Sequence, residues 1–231
     1  MIVTRYQLTM HDTLYYATRE MGRLYETERF IHNWALTYAF GLVHEALRRS
    51  GKEGTPYFSP DNVPRYREEL PLVNDLGVYV TPARPLSVDF ALHTFKLGDN
   101  RYHQHMEKPR TNKPNYGRAK ELVPESTFEF FVLGKPPKPL PRWIRLGLWM
   151  SKAEINRVGE TTDFLVEQGD FVCSVPINPL DLSATPMLYD LIVMPPVSLV
   201  QNTKIKGTFV RVWGGLELPT NMGYLTGNSA I

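Results

Sequence analysis

The chain has 231 residues, enough for one sizeable core or two small ones, and its 42% hydrophobic, 22% charged and 12% aromatic residues are a globular composition. No stretch reaches the roughly 18 unbroken apolar residues of a membrane span, and the opening M-I-V-T-R-Y-Q-L-T-M-H-D lacks the apolar core of a signal peptide. The net charge of +2 hides an asymmetry. Residues 101–120 set Arg101, Lys108, Arg110, Lys113, Arg118 and Lys120 against Glu107, and residues 135–157 set Lys135, Lys138, Arg142, Arg145, Lys152 and Arg157 against Glu154, a balance of +5 in each. The other 188 residues carry 14 bases and 22 acids. Positive charge gathered into two short segments of an acidic protein points to a polyanion, nucleic acid first. A solvated surface is the other reading of the same charges.

A lone cysteine, Cys173, cannot form an internal disulfide, so a soluble protein of a reducing cytoplasm is expected, with no membrane partner. Nineteen prolines predict many turns and connections.

In chain order, residues 2–10 alternate, with Ile2, Tyr6, Leu8 and Met10 facing away from Arg5, Gln7 and Thr9, and predict a half-buried strand. Residues 33–49 predict one helix. Trp34, Ala35, Tyr38, Ala39, Leu42, Val43, Ala46 and Leu47 form its apolar stripe, Asn33 its cap, Arg48 and Arg49 its last turn, and Gly51 its stop. Residues 51–77 read as a connection. Strands are expected at 78–81, 87–97, 101–107, 127–133, 143–149, 170–175, 189–194 and 207–213. One early helix, many strands and no internal repeat predict a single α+β domain over 1–231, with a projecting hairpin and basic loop at about 87–120. The turn Gly98-Asp99-Asn100 would set Phe95 opposite His103 and His93 opposite His105. Beyond it, 108–120 is too rich in Pro, Asn and Gly to fold on its own.

Residues 100–120, N-R-Y-H-Q-H-M-E-K-P-R-T-N-K-P-N-Y-G-R-A-K, concentrate the chemistry. A metal site built on His103, His105 and His93 is disfavoured, because the neighbouring bases repel a cation and no C-x-x-C or H-E-x-x-H spacing occurs. Cleavage of RNA through its own 2′-hydroxyl needs only a base, an acid and a cation, and His103, His105, Tyr102 and Lys108 are suitable types. The same side chains serve equally well to stack on bases and pair with phosphates, and spacing does not separate the two uses.

In W-I-R-L-G-L-W-M-S-K, residues 143–152, alternation sends Ile144, Leu146, Leu148 and Met150 inward. Trp143, Arg145, Gly147 and Trp149 then share the other face, a surface suited to unpaired bases, with Lys152 close by. Tryptophans packed beneath an inserted loop would look the same. Gly214-Gly215 is a lone glycine pair, and Cys173 in F-V-C-S-V reads as a core residue. Residues 19–33, with Arg19 and Arg23, are an interface or an RNA edge.

T-L-Y-Y-A-T-R-E-M-G-R-L-Y-E-T-E-R-F-I-H-N-W-A-L-T-Y-A (13–39), V-D-F-A-L-H-T-F-K-L-G-D-N-R-Y-H (88–103), N-Y-G-R-A-K-E-L (115–122) and W-I-R-L-G-L-W-M-S-K-A (143–153) together resemble the type I-D CRISPR subunit of the Cas-five family, also called Csc-one. The resemblance implies a ferredoxin-like, RRM-related RNA-binding domain with an inserted β-hairpin thumb and a strand-rich C-terminal half. It implies a subunit of a Cascade-like surveillance complex in antiviral defence. There it would hold the 5′ handle of the CRISPR RNA and join the large subunit to the repeated backbone subunit. Relatives in type I-C systems cut precursor RNA, whereas type I-D systems assign that cut to a separate enzyme, so no catalytic role is carried over. A metal-independent endoribonuclease acting through His103 and His105 stays the alternative, and a part in reading target DNA near the PAM stays open. The candidate RNA contacts are Arg19, Arg23, Arg101, Tyr102, His103, His105, Lys108, Arg110, Lys113, Tyr116, Arg118, Lys120, Trp143, Arg145, Trp149 and Lys152. No metal and no cofactor are expected.

Overall fold

In the computed structural model, β1 (Val3–Met10) is the axis of the largest sheet, pairing antiparallel with β8 (Thr127–Gly134) on one side and β10 (Ser151–Thr161) on the other. The structure describes residues 1–52, 64–96 and 116–227. β4 (Val78–Val80) and β5 (Arg84–Ser87) extend the sheet beyond β8, and β9 (Trp143–Leu146) lies beyond β10.

β8 explains why T-F-E-F-F-V-L-G is almost unbroken in its apolarity: both its faces are covered. Phe130 stacks on Tyr6, ring centroids 5.3 Å apart, and meets Phe40 from the helical layer. The next residue, Phe131, points the other way and stacks on Trp213 of the C-terminal half at 5.8 Å. Glu129 shares the Phe131 face. Burying a carboxylate is costly unless it is paired, and two guanidiniums pair it: Arg5, and Arg84 through its Nε at 2.8 Å.

The helix expected at 33–49 is two helices, α1 (Asn33–Ala39) and α2 (Leu42–Arg49). Between them Gly41 sits at φ 73°, a left-handed conformation that ends one helix and starts the next at a new angle. The apolar stripe runs through both, so periodicity alone did not reveal the break. The cap is His32 and not Asn33: the His32 Nδ1 accepts from the Trp34 amide at 3.1 Å. Asn33 is buried and donates through Nδ2 to Asp181 at 2.7 Å and to the Tyr79 hydroxyl at 3.1 Å. At the other end Arg48 and Arg49 pair with Glu45, and Gly51 follows the cap at φ 68°.

The expected connection at 51–77 contains α3 (Tyr66–Val73) and a 3-10 turn at 74–76. Glu68 and Glu69 favour its first turn, and Leu70 and Val73 are buried; Pro71, near its end, disguised it as a loop. The 87–97 strand is interrupted, giving β5 and then β6 (Phe90–Lys96). The expected 143–149 strand stops at Leu146, and 207–213 is one end of a 14-residue strand, β13 (Leu199–Val212). The strand expected at 101–107 lies outside the described residues.

In the C-terminal half β13 pairs with β11 (Val166–Cys173) on one side, and with β12 (Leu188–Ile192) and β14 (Leu216–Pro219) on the other. Its core joins that of the first sheet, with Phe171 stacked on Phe209 at 4.5 Å. Cys173 is buried there as a core residue, its thiol pushed up to about 12 by burial. Among the described residues no helix is long and apolar enough to cross a membrane.

Candidate nucleic-acid interface

A third, smaller sheet carries much of the chemistry the sequence singled out. Its order is β2 (Arg19–Met21), β3 (Leu24–Glu26), β7 (Tyr116–Leu122), β6, and the β3–β7 ladder is parallel. Segment 19–33 thus begins as a hairpin turning at Gly22, φ 64°. Residues 116–120, expected within a loop unable to fold alone, are ordered because β3 and β6 flank them. That pairing joins residues about ninety apart in the chain, and no local pattern announces it.

Register sorts the side chains. On the outer face, Leu92, Thr94 and Lys96 of β6 lie opposite Lys120, Arg118 and Tyr116 of β7, and Phe90 lies opposite Leu122, which is buried where the strand enters the main core. Glu26 and Arg19 continue that face on β3 and β2. Lys120 places its ammonium 4.3 Å from the Phe90 ring centroid and 3.6 Å from the Glu26 carboxylate. Glu26 also meets Arg19 at 3.7 Å, and Arg19 reaches Glu28 at 3.3 Å. Arg118 and Lys96 are exposed, and among the described residues neither has an ion pair assigned. Tyr116 is 50% exposed. The outer face is therefore an open, cationic surface with two accessible aromatic rings.

The inner face is packed. Tyr25, Phe95 and Ala119 join Tyr15 in one apolar cluster, with Trp149 and Ala17 against it. Phe95 lies opposite Gly117, where a Cβ would stand 2.6 Å from the Phe95 ring, and His93 lies opposite Ala119. Within the described residues the partner of β6 is β7; the 101–107 strand expected to bring His103 and His105 across lies outside them. Small residues at 117 and 119 make the room that Phe95 needs. His93 meets Glu121 at 3.7 Å, and among the described residues no three His, Cys, Asp or Glu side chains cluster to hold a metal.

The W-I-R-L-G-L-W-M-S-K segment divides at Leu146. Ile144 and Leu146 are buried as alternation predicts, and Trp143 and Arg145 share the exposed face of β9. The chain then turns, with Gly147 at φ 70°, so Leu148 comes to the surface instead of the core. Gly147 does admit a backbone, and that backbone is the protein's own: a Cβ there would lie 2.9 Å from the Tyr15 carbonyl. Trp149 leaves the Trp143 face and stacks on Tyr15.

Trp143, 40% exposed, is a partly occupied ring. Lys152 stands 3.9 Å from its centroid and His11 meets it edge-on at 5.0 Å. Arg142 pairs with Glu154, holding that carboxyl below its ordinary range, and Arg145 sits 3.7 Å from Asp12. Two of the cations on this face are thus engaged with acids, and the third lies over the indole. Residues 11–15 run from the Trp143 surface to the small sheet, through the Leu14–Leu122 bridge to Tyr15.

Of the predicted contacts, Arg19, Tyr116, Arg118 and Lys120 come together on the outer face of the small sheet; Arg23 lies in the adjoining β2–β3 turn, where its carbonyl accepts from the Arg118 amide at 2.7 Å. Trp143, Arg145 and Lys152 form a second surface, and Trp149 packs between the two. Arg101, Tyr102, His103, His105, Lys108, Arg110 and Lys113 lie outside the described residues. Sequence reasoning missed Phe90 and Lys96; the alternation of F-A-L-H-T-F-K, which sets them on one face, was the available signal.

A family model described as type I-D CRISPR-associated protein Cas5/Csc1 matches residues 1–227. No curated protein matches the chain. Among solved structures it is similar to one described as "Cryo-EM structure of the Type III-B Cmr-beta bound to cognate target RNA and AMPPnP, state 1", with 8% identity over 87% of this chain and 86% of that one and a TM-score of 0.46. A second, described as "CRISPR RNA-guided surveillance complex", has 11% identity over 96% and 92% and a TM-score of 0.30. With a match that spans nearly its whole length, the chain belongs to the Cas5/Csc1 family of type I-D CRISPR-associated proteins.

Proposed function

We propose that this chain is the subunit of a type I-D CRISPR surveillance complex that holds the CRISPR RNA, and that it does so on the outer face of the β2-β3-β7-β6 sheet. One observation carries the assignment: Arg118 and Lys96 lie exposed, with no acid paired to them among the described residues, on the same open face as the rings of Tyr116 and Phe90. Cations follow a phosphate backbone and exposed rings stack unpaired bases, so the face fits a single strand of RNA. It also borders residues 97–115, which hold most of the remaining bases of the first cationic segment.

The scaffold reading is ferredoxin-like. The order β4-β8-β1-β10 and its wholly antiparallel pairing support it, because β1 and β4 then run parallel with helices between them and β8 lies between the two strands. Residues 135–142 stand where a second helix would, without helix or strand. In this reading the RNA is the 5′ handle, the protein partners are the large subunit and the repeated backbone subunit, the compartment is the cytoplasm, and the subunit is non-catalytic. Contact with target DNA near the PAM falls to the same complex.

The test is fluorescence anisotropy of a 5′-handle RNA titrated with Tyr116→Ala and Arg118→Glu. Loss of a stacked ring should weaken binding roughly 10- to 100-fold. Removing the Arg118 contact should lower the slope of log K against log salt by about 0.7. Unchanged affinity and slope in both variants would remove the small sheet from the interface.

A further inference from the structure

The edge strand β12 and its flanks read M-L-Y-D-L-I-V over 187–193, with Met187, Leu188, Tyr189, Leu191 and Val193 exposed. Leu188 and Leu191 are 71% and 57% exposed, where a buried core would hold them almost fully covered. β12 pairs with β13 along one side and, among the described residues, with nothing along the other. Natural edge strands are normally blunted by charge, because a free row of backbone N–H and C=O groups is a template for another strand. The opposite edge of this sheet also exposes apolar residues, Val166 and Val172, but interleaves them with charge: β11 carries Glu167 and Asp170, paired to Arg211 and Lys204. β12 carries one charge, Asp190, and its carboxylate already accepts from the Asn202 side-chain Nδ2 at 2.7 Å.

We propose that β12 is a docking edge for an extended segment of another protein chain, which adds as a strand beside it and covers Leu188, Tyr189 and Leu191. The chemistry selects this occupant. The free backbone edge asks for a strand, and the side chains beside it ask for apolar partners. Nucleic acid is disfavoured because residues 187–193 contain no cation. A second copy is disfavoured because antiparallel pairing about the centre of β12 sets Asp190 against Asp190. Ile192 and Met194 anchor the strand from beneath, in a cluster with Phe30 and Leu199, so the edge is held in place before a partner arrives.

This proposal rests on membership in a multi-subunit complex, and its test separates the two readings. Hydrogen exchange is measured on the free wild-type chain, on the chain with 5′-handle RNA, and on the complex formed by co-expression with the other type I-D subunits and a CRISPR array. In parallel, Leu188→Lys with Leu191→Lys is assayed for RNA binding and for entry into the complex. The expected result is at least tenfold slower exchange of the 188–192 amides in the complex only, and a double variant that binds RNA like wild type but is lost from the complex. Equal exchange in the free and assembled chain, with normal assembly of the variant, overturns the proposal. Protection by RNA alone assigns the edge to nucleic acid, and a wild-type dimer abolished in the variant assigns it to a second copy; either result also overturns it. A wild-type chain that never enters the complex overturns this proposal together with the complex-subunit reading.

Discussion

Trp149 stacks on Tyr15, ring centroids 5.1 Å apart at an interplanar angle of 25°, and this pair joins the turn after β9 to the packed face of the small sheet. Trp143, six residues earlier, lies on the open surface under Lys152. The two tryptophans of one motif therefore have different roles. Trp149→Ala should cost about 2–4 kcal/mol of unfolding free energy, since it removes both a large packed side chain and a ring pair. Trp143→Ala should cost about 1 kcal/mol or less, the scale of an exposed cation–π contact. Urea unfolding of the two variants checks the split; equal losses would contradict it.

A second prediction concerns pH. Asp181 is buried and accepts from Asn33, Trp34, Tyr79 and the Leu225 amide, and burial raises its carboxyl to about 6 from 3.8. The folded chain then binds this proton more tightly than the unfolded chain does, so the contribution of Asp181 is full below about pH 4 and is lost as pH rises through about 6. His32 has the opposite sign. Its Nε2 donates to the Val197 carbonyl and its Nδ1 accepts from Trp34, a neutral ring held at about 3 by burial against an ordinary 6.5. Its contribution is full above pH 6.5 and falls as the solution is acidified towards 3. Unfolding free energies at pH 4 to 7 should show wild type losing ground to Asp181→Asn as pH rises and losing ground to His32→Gln as pH falls. Parallel curves for wild type and either variant would contradict that assignment.

Legibility in the sequence followed locality. The F-E-F-F-V-L run of β8 announced a strand, and Cys173 was readable as core because its neighbours are apolar. The break at Gly41 was hidden inside an apolar stripe that continues across it. β10 was missed because it is mostly polar, S-K-A-E-I-N-R-V-G-E-T; Ala153 and Ile155 alone are its buried apolar residues, and its order comes from β1 and β9 on either side. The candidate site was legible in residue type and not in arrangement. Tyr116, Arg118 and Lys120 were found by charge and aromaticity, but the face they share with Phe90 and Lys96 exists only because β7 joins β3 in parallel and β6 in antiparallel.

A third prediction separates holder from nuclease. His103→Ala with His105→Ala should leave the length of the guide RNA unchanged in the host system. The purified chain should not cut repeat RNA, with or without chelator. A cut within the repeat that disappears in the double variant would assign the chain a catalytic role.

The proposed path of the RNA is the outer face of the small sheet. Its most direct test is ultraviolet crosslinking of the complex purified after co-expression with a CRISPR array, followed by sequencing of the bound RNA and mass spectrometry of the crosslinked peptides. One discrete guide with a common 5′ handle is expected, crosslinked within residues 90–96 and 116–122. A chain that carries no RNA, or one crosslinked at the Trp143 surface with those two strands untouched, would contradict it.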